Sequence, residues 1–240
     1  MTIEYSISTI NERSVALTLG SSVDEETRQR VWAIYHYLIK NWQPGWTDVI
    51  PAYTTICINF DPVLVRGKQP RISQTVKHTI SYLLESFSVE PNQSFRNLKV
   101  PVCYHPSLGI DLKELAKKSG LSIESIVDYH CSNTYTIYML GFLPGFAYMG
   151  SVDSRIIFPR LKQPRLLVKA GSVGIAGKQT GIYPFDSPGG WNILGRTPLQ
   201  LFDKHSTNPV LFNPSDRIRF YPISLEEFQL FESKSFNPFA

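Results

Sequence analysis

The 240-residue chain has room for one large or two modest domains. With 42% hydrophobic and 18% charged residues it holds enough apolar surface to offset the entropy of ordering, which excludes an intrinsically disordered chain. Its net charge of +4 is scattered, so no nucleic-acid surface is expected, and its best apolar stretches, residues 31–39 and 135–144, are too short to span a membrane.

Residues 4–10 and 13–19 alternate as strands across a turn at Asn11-Glu12. Ser22 with Glu25 reads as a capping box opening a helix, and Val31, Ile34, Tyr35, Leu38 and Trp42 form its expected buried stripe. Gln43-Pro44-Gly45 stops it. Residues 46–51 and 54–60 predict two strands of a hairpin, the second rich in β-branched side chains. A second helix follows Pro70, with Ile72, Val76, Ile80, Leu83 and Phe87 on one face, and residues 98–104 make the next strand. Taken from Arg13, the order strand, helix, strand, strand, helix, strand predicts a split βαβ, or ferredoxin-like, arrangement. Glu90-Pro91-Asn92-Gln93 reads as a linker within residues 89–94, so the expected domains are 1–90 and 91–240.

The second part opens with two short helices. Asp111 with Glu114 is a capping box, Gly120 is placed to end the first helix in a left-handed conformation, and Ser122 caps the next, which runs to about His130. Ten of the 15 glycines then fall between Gly141 and Gly195. They punctuate short β-like runs at 135–140, 166–170, 182–183, 192–194 and 217–221, a pattern that predicts a barrel or closed sandwich. Ser224 with Glu227 begins a last short helix. The expected fold class is therefore α+β.

Three glycine- and proline-rich segments stand out: GFLPGFAYMG at 141–150, AGSVGIAGKQTGIYP at 170–184 and SPGGWNILGRTP at 187–198. The middle one fails as a phosphate loop, because Ser172 replaces the first required glycine and Gln179 the required hydroxyl residue. Gly171, Gly174 and Gly177 are wrongly spaced for a dinucleotide fingerprint. Many of these glycines fit barrel corners and bulges. Gln179, Thr180, Tyr183 and Arg196 nevertheless gather among them, and glycine also lets a ligand approach the backbone closely. No histidine joins Cys103 or Cys131 in a metal-ligand pattern, so no metal is expected. The three cysteines include no CxxC pair, and Met1-Thr2-Ile3-Glu4 lacks the basic start of a signal peptide; both features lead to the expectation of a reducing, cytoplasmic setting.

The three segments together strongly resemble the family of 5-oxoprolinase B subunits, also called Kip-inhibitor-like or allophanate hydrolase subunit 1. The resemblance covers nearly the whole chain, including the Gly109-Ile110-Asp111-Leu112 segment. It implies a ferredoxin-like N-terminal domain, a cyclophilin-like β-barrel C-terminal domain, and partners: the C and A subunits of 5-oxoprolinase. The implied activity is ATP-dependent opening of the lactam of 5-oxoproline to glutamate, with ATP and magnesium held by the complex and the site shared with the C subunit. Other members of the family imply alternatives, namely inhibition of a sensor histidine kinase or a role like that of urea carboxylase. Prolyl isomerisation is not expected, because the Arg-centred pattern of true cyclophilins is missing.

A lactam is a stabilised amide, so its opening calls for oxygen-directed donors, a base for water and an anchor for anionic oxygens. Arg196 is the candidate anchor, since its fork grips two oxygens; it equally fits a loop tie to backbone carbonyls. Gln179, Thr180 and Tyr183 are candidate substrate contacts. Phe142, Phe146 and Tyr148 are expected as pocket walls, or as barrel core. Gly145, Gly174, Gly177, Gly181, Gly189 and Gly190 supply the loops around them. His130, near a helix C-terminus, is the candidate acid–base group or a favourable partner of the helix dipole. The segment His105-Pro106-Ser107-Leu108-Gly109 departs from the family's glycine-rich, acidic turn at that point.

Overall fold

The computed structural model describes residues 4–65, 71–88 and 95–234, and the chain divides into two compact units, Met1–Ser94 and Phe95–Ala240. The expected linker within 89–94 lies outside the described residues.

The first unit holds β1 (Ser6–Asn11), β2 (Ser14–Thr18), α1 (Glu25–Lys40), β3 (Trp46–Pro51), β4 (Thr55–Phe60) and α2 (Ile72–Glu85). Its sheet has the order β1-β2-β4-β3, all pairs antiparallel. Alternation places Val15, Leu17, Ile56, Ile58 and Phe60 on one face, where they pack with Val31, Ile34 and Leu38 of α1 and Val76, Ile80 and Leu84 of α2. Residues 98–104 do not complete this sheet. The edge position beside β2 is filled instead by β1, so the ferredoxin-like layer is closed from the N-terminal end of the chain. Two local details also differ from the sequence reading. Asp24, not Ser22, caps α1, its carboxylate accepting from the Thr27 amide at 2.8 Å. The helix ends at Lys40, which leaves Trp42 outside the buried stripe and 45% exposed, edge-on to Trp46.

The second unit holds β5 (Asn97–Cys103), α3 (Leu112–Ser119), α4 (Ile123–Ser132), β6 (Tyr135–Leu140), β7 (Ala147–Gly150), a 3-10 turn at Ser154–Ile156, β8 (Arg165–Val168), β9 (Ser172–Ala176), β10 (Gln179–Ile182), β11 (Ser187–Gly189), β12 (Asn192–Arg196), β13 (Arg217–Ile223) and α5 (Leu225–Lys234). Seven strands close a barrel in the order β10-β7-β6-β13-β5-β12-β9. β13 runs parallel to β5, while the remaining neighbours are antiparallel. β8 and β11 form a separate two-stranded ribbon. The interior is filled by Val100, Val102, Ile137, Met149, Val173, Ile175, Leu194, Ile218 and Phe220, with Leu112, Leu115 and Ile126 of the two helices joining the same core.

Gly120 ends α3 at φ +71°, Ser122 caps α4 by accepting from the Ser125 amide at 3.1 Å, and Ser224 and Glu227 make a reciprocal capping box. Asp111 makes no capping bond. Its carboxylate reaches across the unit instead, accepting from the Ile193 amide of β12 at 2.6 Å and pairing with Arg165 at the start of β8. Among the described residues no helix is long and apolar enough to cross a membrane.

Candidate functional site

The three glycine-rich segments do converge, on a cluster of aromatic rings at one side of the barrel. Phe146 lies 4.8 Å from Tyr148, 5.3 Å from Tyr183 and 5.5 Å from Trp191, ring centre to ring centre. Tyr148 and Trp191 are 5.9 Å apart. The rings are carried by three parts of the chain: Phe146 just before β7 and Tyr148 within it, Tyr183 just after β10, Trp191 in the turn into β12. Val168, Ala176 and Ile193 pack beneath them. Tyr148 remains half-buried, whereas Phe146, Tyr183 and Trp191 are buried. Phe142 stands edge-on to Phe146 at 5.5 Å but is 61% exposed, so it forms the outer lip rather than core.

The glycines are explained by these rings. A β-carbon on Gly181 would sit 3.0 Å from Trp191 Cζ3 and 2.9 Å from the Ala147 carbonyl oxygen, and one on Gly189 would sit 2.5 Å from the Tyr183 hydroxyl. Gly174 faces the Trp191 side chain in the same way. The close approach to the backbone foreseen for a ligand is thus made by the protein's own aromatic side chains. Gly145 (φ +83°) and Gly177 (φ +59°) serve turns, the latter the hairpin between β9 and β10, while a β-carbon on Gly190 would make only ordinary contact with Pro164 and the Leu161 carbonyl.

The candidates Gln179, Thr180 and Arg196 do not share one hollow. Thr180 points into the barrel, and Gln179, next to it on β10, faces the other side of the sheet. Arg196 donates through Nε to the Ala170 carbonyl at 2.6 Å and lies 5.6 Å from the Phe228 ring of α5, the loop-tying role rather than an open anion anchor.

His130 is fully buried, stacked on Phe220 at 4.7 Å. Its Nδ1 is 2.7 Å from the Tyr104 hydroxyl and its Nε2 2.9 Å from Thr180 Oγ1. Thr180 spends its own proton on the Gly174 carbonyl, 3.0 Å away, so the hydroxyl must accept from Nε2–H. Nδ1 then accepts from Tyr104, whose oxygen in turn accepts from the Cys131 thiol at 3.4 Å. Burial holds the imidazole neutral, with its pKa pushed down to about 3, and pushes the Tyr104 phenol well above its ordinary range. Both ring nitrogens are satisfied inside the protein by groups of the barrel interior. The acid–base role considered for His130 has no solvent-reachable partner here. The geometry is that of a structural tie between α4, β10 and Tyr104 at the end of β5.

Two cations border the aromatic cluster. Arg165 donates to the Trp191 carbonyl at 3.3 Å while paired with Asp111. Arg160 is exposed and holds its guanidinium carbon 5.8 Å from the centre of the Trp191 ring. Burial raises the pKa values of Tyr148 and Tyr183, and the positive charge of Arg160 opposes that rise at both. Sequence reasoning misses Trp191, Arg160 and Arg165 as site residues. Trp191 is visible inside the third motif, but Arg160 lies in none of the three and only the folded chain brings it to Trp191. Among the described residues, no group of three or more His, Cys, Asp or Glu side chains is placed to hold a metal ion. A separate cleft in the first unit, lined by Asn11, Arg13, Thr47, Asn59 and Asp61 among others, contains none of these residues.

A closed barrel with a side cluster of aromatic rings, preceded by a ferredoxin-like layer, defines the class: residues 5–212 match the family model described as carboxyltransferase domain, subdomain C and D. The chain is 36% identical to the B subunit of 5-oxoprolinase from Bacillus subtilis (strain 168), over 98% of this chain and 100% of that protein. It is 37% identical to the B subunit of 5-oxoprolinase from Escherichia coli O157:H7, over 89% and 94% respectively. The chain belongs to the family of 5-oxoprolinase B subunits. Among solved structures it is similar to TTHA0988, with a TM-score of 0.77 and 35% identity over 88% of this chain; it spans about 40% of that longer chain.

Proposed function

We propose that this protein is the B subunit of an ATP-dependent 5-oxoprolinase, working with the C and A subunits to open 5-oxoproline to glutamate. The observation that carries the reading is the likeness to proteins of that name over nearly the full length of both chains. The aromatic cluster supports it. A small five-membered lactam presents two flat faces and one carboxylate, and the cluster offers a half-buried ring beside cationic groups. The site is incomplete on this chain: the buried His130 is enclosed in the barrel, and the Asp111 carboxylate beside the cluster is committed to Arg165 and the Ile193 amide. A second polypeptide, the C subunit, completes it. Leu166 and Leu167 of the β8–β11 ribbon, 91% and 52% exposed, continue directly from Arg165 at the edge of the cluster and offer that partner an apolar seat.

ATP supplies the driving force for breaking a stabilised amide. The lysine-bearing glycine segment of this chain does not fit a nucleotide phosphate. It is the tight hairpin joining β9 to β10, with Lys178 at its tip, and not a loop leading into a helix N-terminus. The nucleotide and its magnesium are therefore assigned to the partner subunits, and this chain to binding and orienting the lactam. The test is reconstitution. Adding this chain to the A and C subunits from the same organism restores 5-oxoproline-dependent ATP hydrolysis; no hydrolysis above that of those two subunits alone refutes the reading.

A further inference from the structure

Residue 160 is fixed opposite residue 191 by hydrogen bonds on both sides. The Pro159 carbonyl accepts from the Asn192 side chain at 2.9 Å, and the Leu161 amide donates to the Gly190 carbonyl at 2.8 Å. Just before them, the Gly177 amide donates to the Phe158 carbonyl at 2.7 Å, tying the same segment to the β9–β10 hairpin. The Arg160 side chain thus leaves a rigid base and lies against the rim of the aromatic cluster, 5.8 Å from the Trp191 ring centre.

Its charge is uncommitted. Arg28, Arg30, Arg96, Arg155 and Arg165 each pair with a carboxylate, and Arg196 is bonded to a carbonyl. Arg160 makes no hydrogen bond or ion pair among the described residues. The neighbouring tyrosines sense its positive charge, and no carboxylate is among the groups acting on them. A pre-positioned guanidinium with open donors, beside the half-buried ring of Tyr148, is complementary to a small flat molecule bearing a carboxylate.

We infer that Arg160 is the carboxylate anchor of the ring substrate on this chain, with the Tyr148 ring as the apolar wall against which the ring lies. The identity of that substrate as 5-oxoproline rests on the functional reading above. The anchor displaces Arg196 from the role its sequence context suggested.

The experiment uses the reconstituted complex and compares 5-oxoproline with 2-pyrrolidinone, the same lactam without its carboxylate. Arg160→Ala raises KM for 5-oxoproline at least about tenfold with little change in kcat, as expected for a lost charge-assisted contact made equally in ground and transition states. Arg160→Lys recovers part of the loss. Preference for 5-oxoproline over 2-pyrrolidinone shrinks in the alanine variant, a result that a merely structural arginine would not give. An unchanged KM or unchanged preference overturns the inference while leaving the 5-oxoprolinase assignment standing. If the wild-type complex fails to turn over 5-oxoproline, that assignment falls instead. The anchor is then decided by NMR titration of this chain alone with the two lactams. Saturable shifts at Tyr148 with 5-oxoproline, lost in Arg160→Ala, uphold it; no saturable shift, or one that survives the substitution, overturns it.

Discussion

His130 gives the sharpest quantitative test of how the barrel is held together. The unfolded chain binds a proton on this imidazole near its ordinary pKa of 6.5, whereas burial pushes the folded value down to about 3. The stability it contributes is complete above pH 6.5 and is lost as pH falls toward 3, because in that window the unfolded state takes up a proton that the folded state refuses. The slope approaches about 1.4 kcal/mol per pH unit, which amounts to roughly 2 kcal/mol over the two pH units below the unfolded value. Urea unfolding followed by the ε-methyl NMR signal of Met149, fully buried in the barrel core, reads this unit alone. The expected result is that His130→Gln flattens the dependence on pH by that amount, since the contributions of other groups, including the partly buried His36, cancel in the difference. Direct NMR titration of the wild-type ring gives a second reading: a neutral Nε2–H tautomer that persists from about pH 7 down to about pH 4.5. Equal slopes in the two proteins, or an imidazole that takes up its proton above about pH 5 in the folded state, would refute the reasoning.

Three further outcomes follow from contacts described above. Thr180→Val strands His130 Nε2–H in the interior and takes the side-chain donor from the Gly174 carbonyl, which keeps its place opposite Gly181 in the ladder, so the barrel loses about 1–3 kcal/mol in the same urea assay without any change in pH slope. Gly181→Ala brings a methyl against Trp191, Phe146 and the Ala147 carbonyl, and costs about 1–3 kcal/mol with a shift in Trp191 fluorescence; an unshifted spectrum would mean the rings are not packed on that backbone. Leu166→Asp, at a position 91% exposed, leaves barrel stability within about 0.5 kcal/mol but abolishes co-elution with the partner C subunit on gel filtration; intact co-elution would remove the ribbon from the interface.

Local signals carry much of the architecture. The helical spacing of Val31, Ile34 and Leu38 and the alternation through Ile56, Ile58 and Phe60 are properties of neighbouring residues, and both reappear as the core of the first unit. The dense glycines between Gly141 and Gly195 correctly announce short strands with tight corners, and the three motifs carry the family resemblance on their own. Capping residues are legible where only a short helix is involved, as at Ser122 and Ser224. Asp111 misleads because its carboxylate finds partners 54 and 82 positions away in the sequence, at Arg165 and Ile193, and no local pattern reports such a choice.

What the sequence determined by itself was the menu: the helices, the short strands and their apolar faces. Tertiary structure decided which of them meet. Strand partners are chosen by long-range closure, so the run at 97–103 joined the barrel through β13 and β12, and the first sheet took its edge from β1. The same closure turned Thr180 and His130 inward and set Arg160 beside Trp191. A side chain's reach is a few ångströms, and only the folded path of the backbone settles what lies within it.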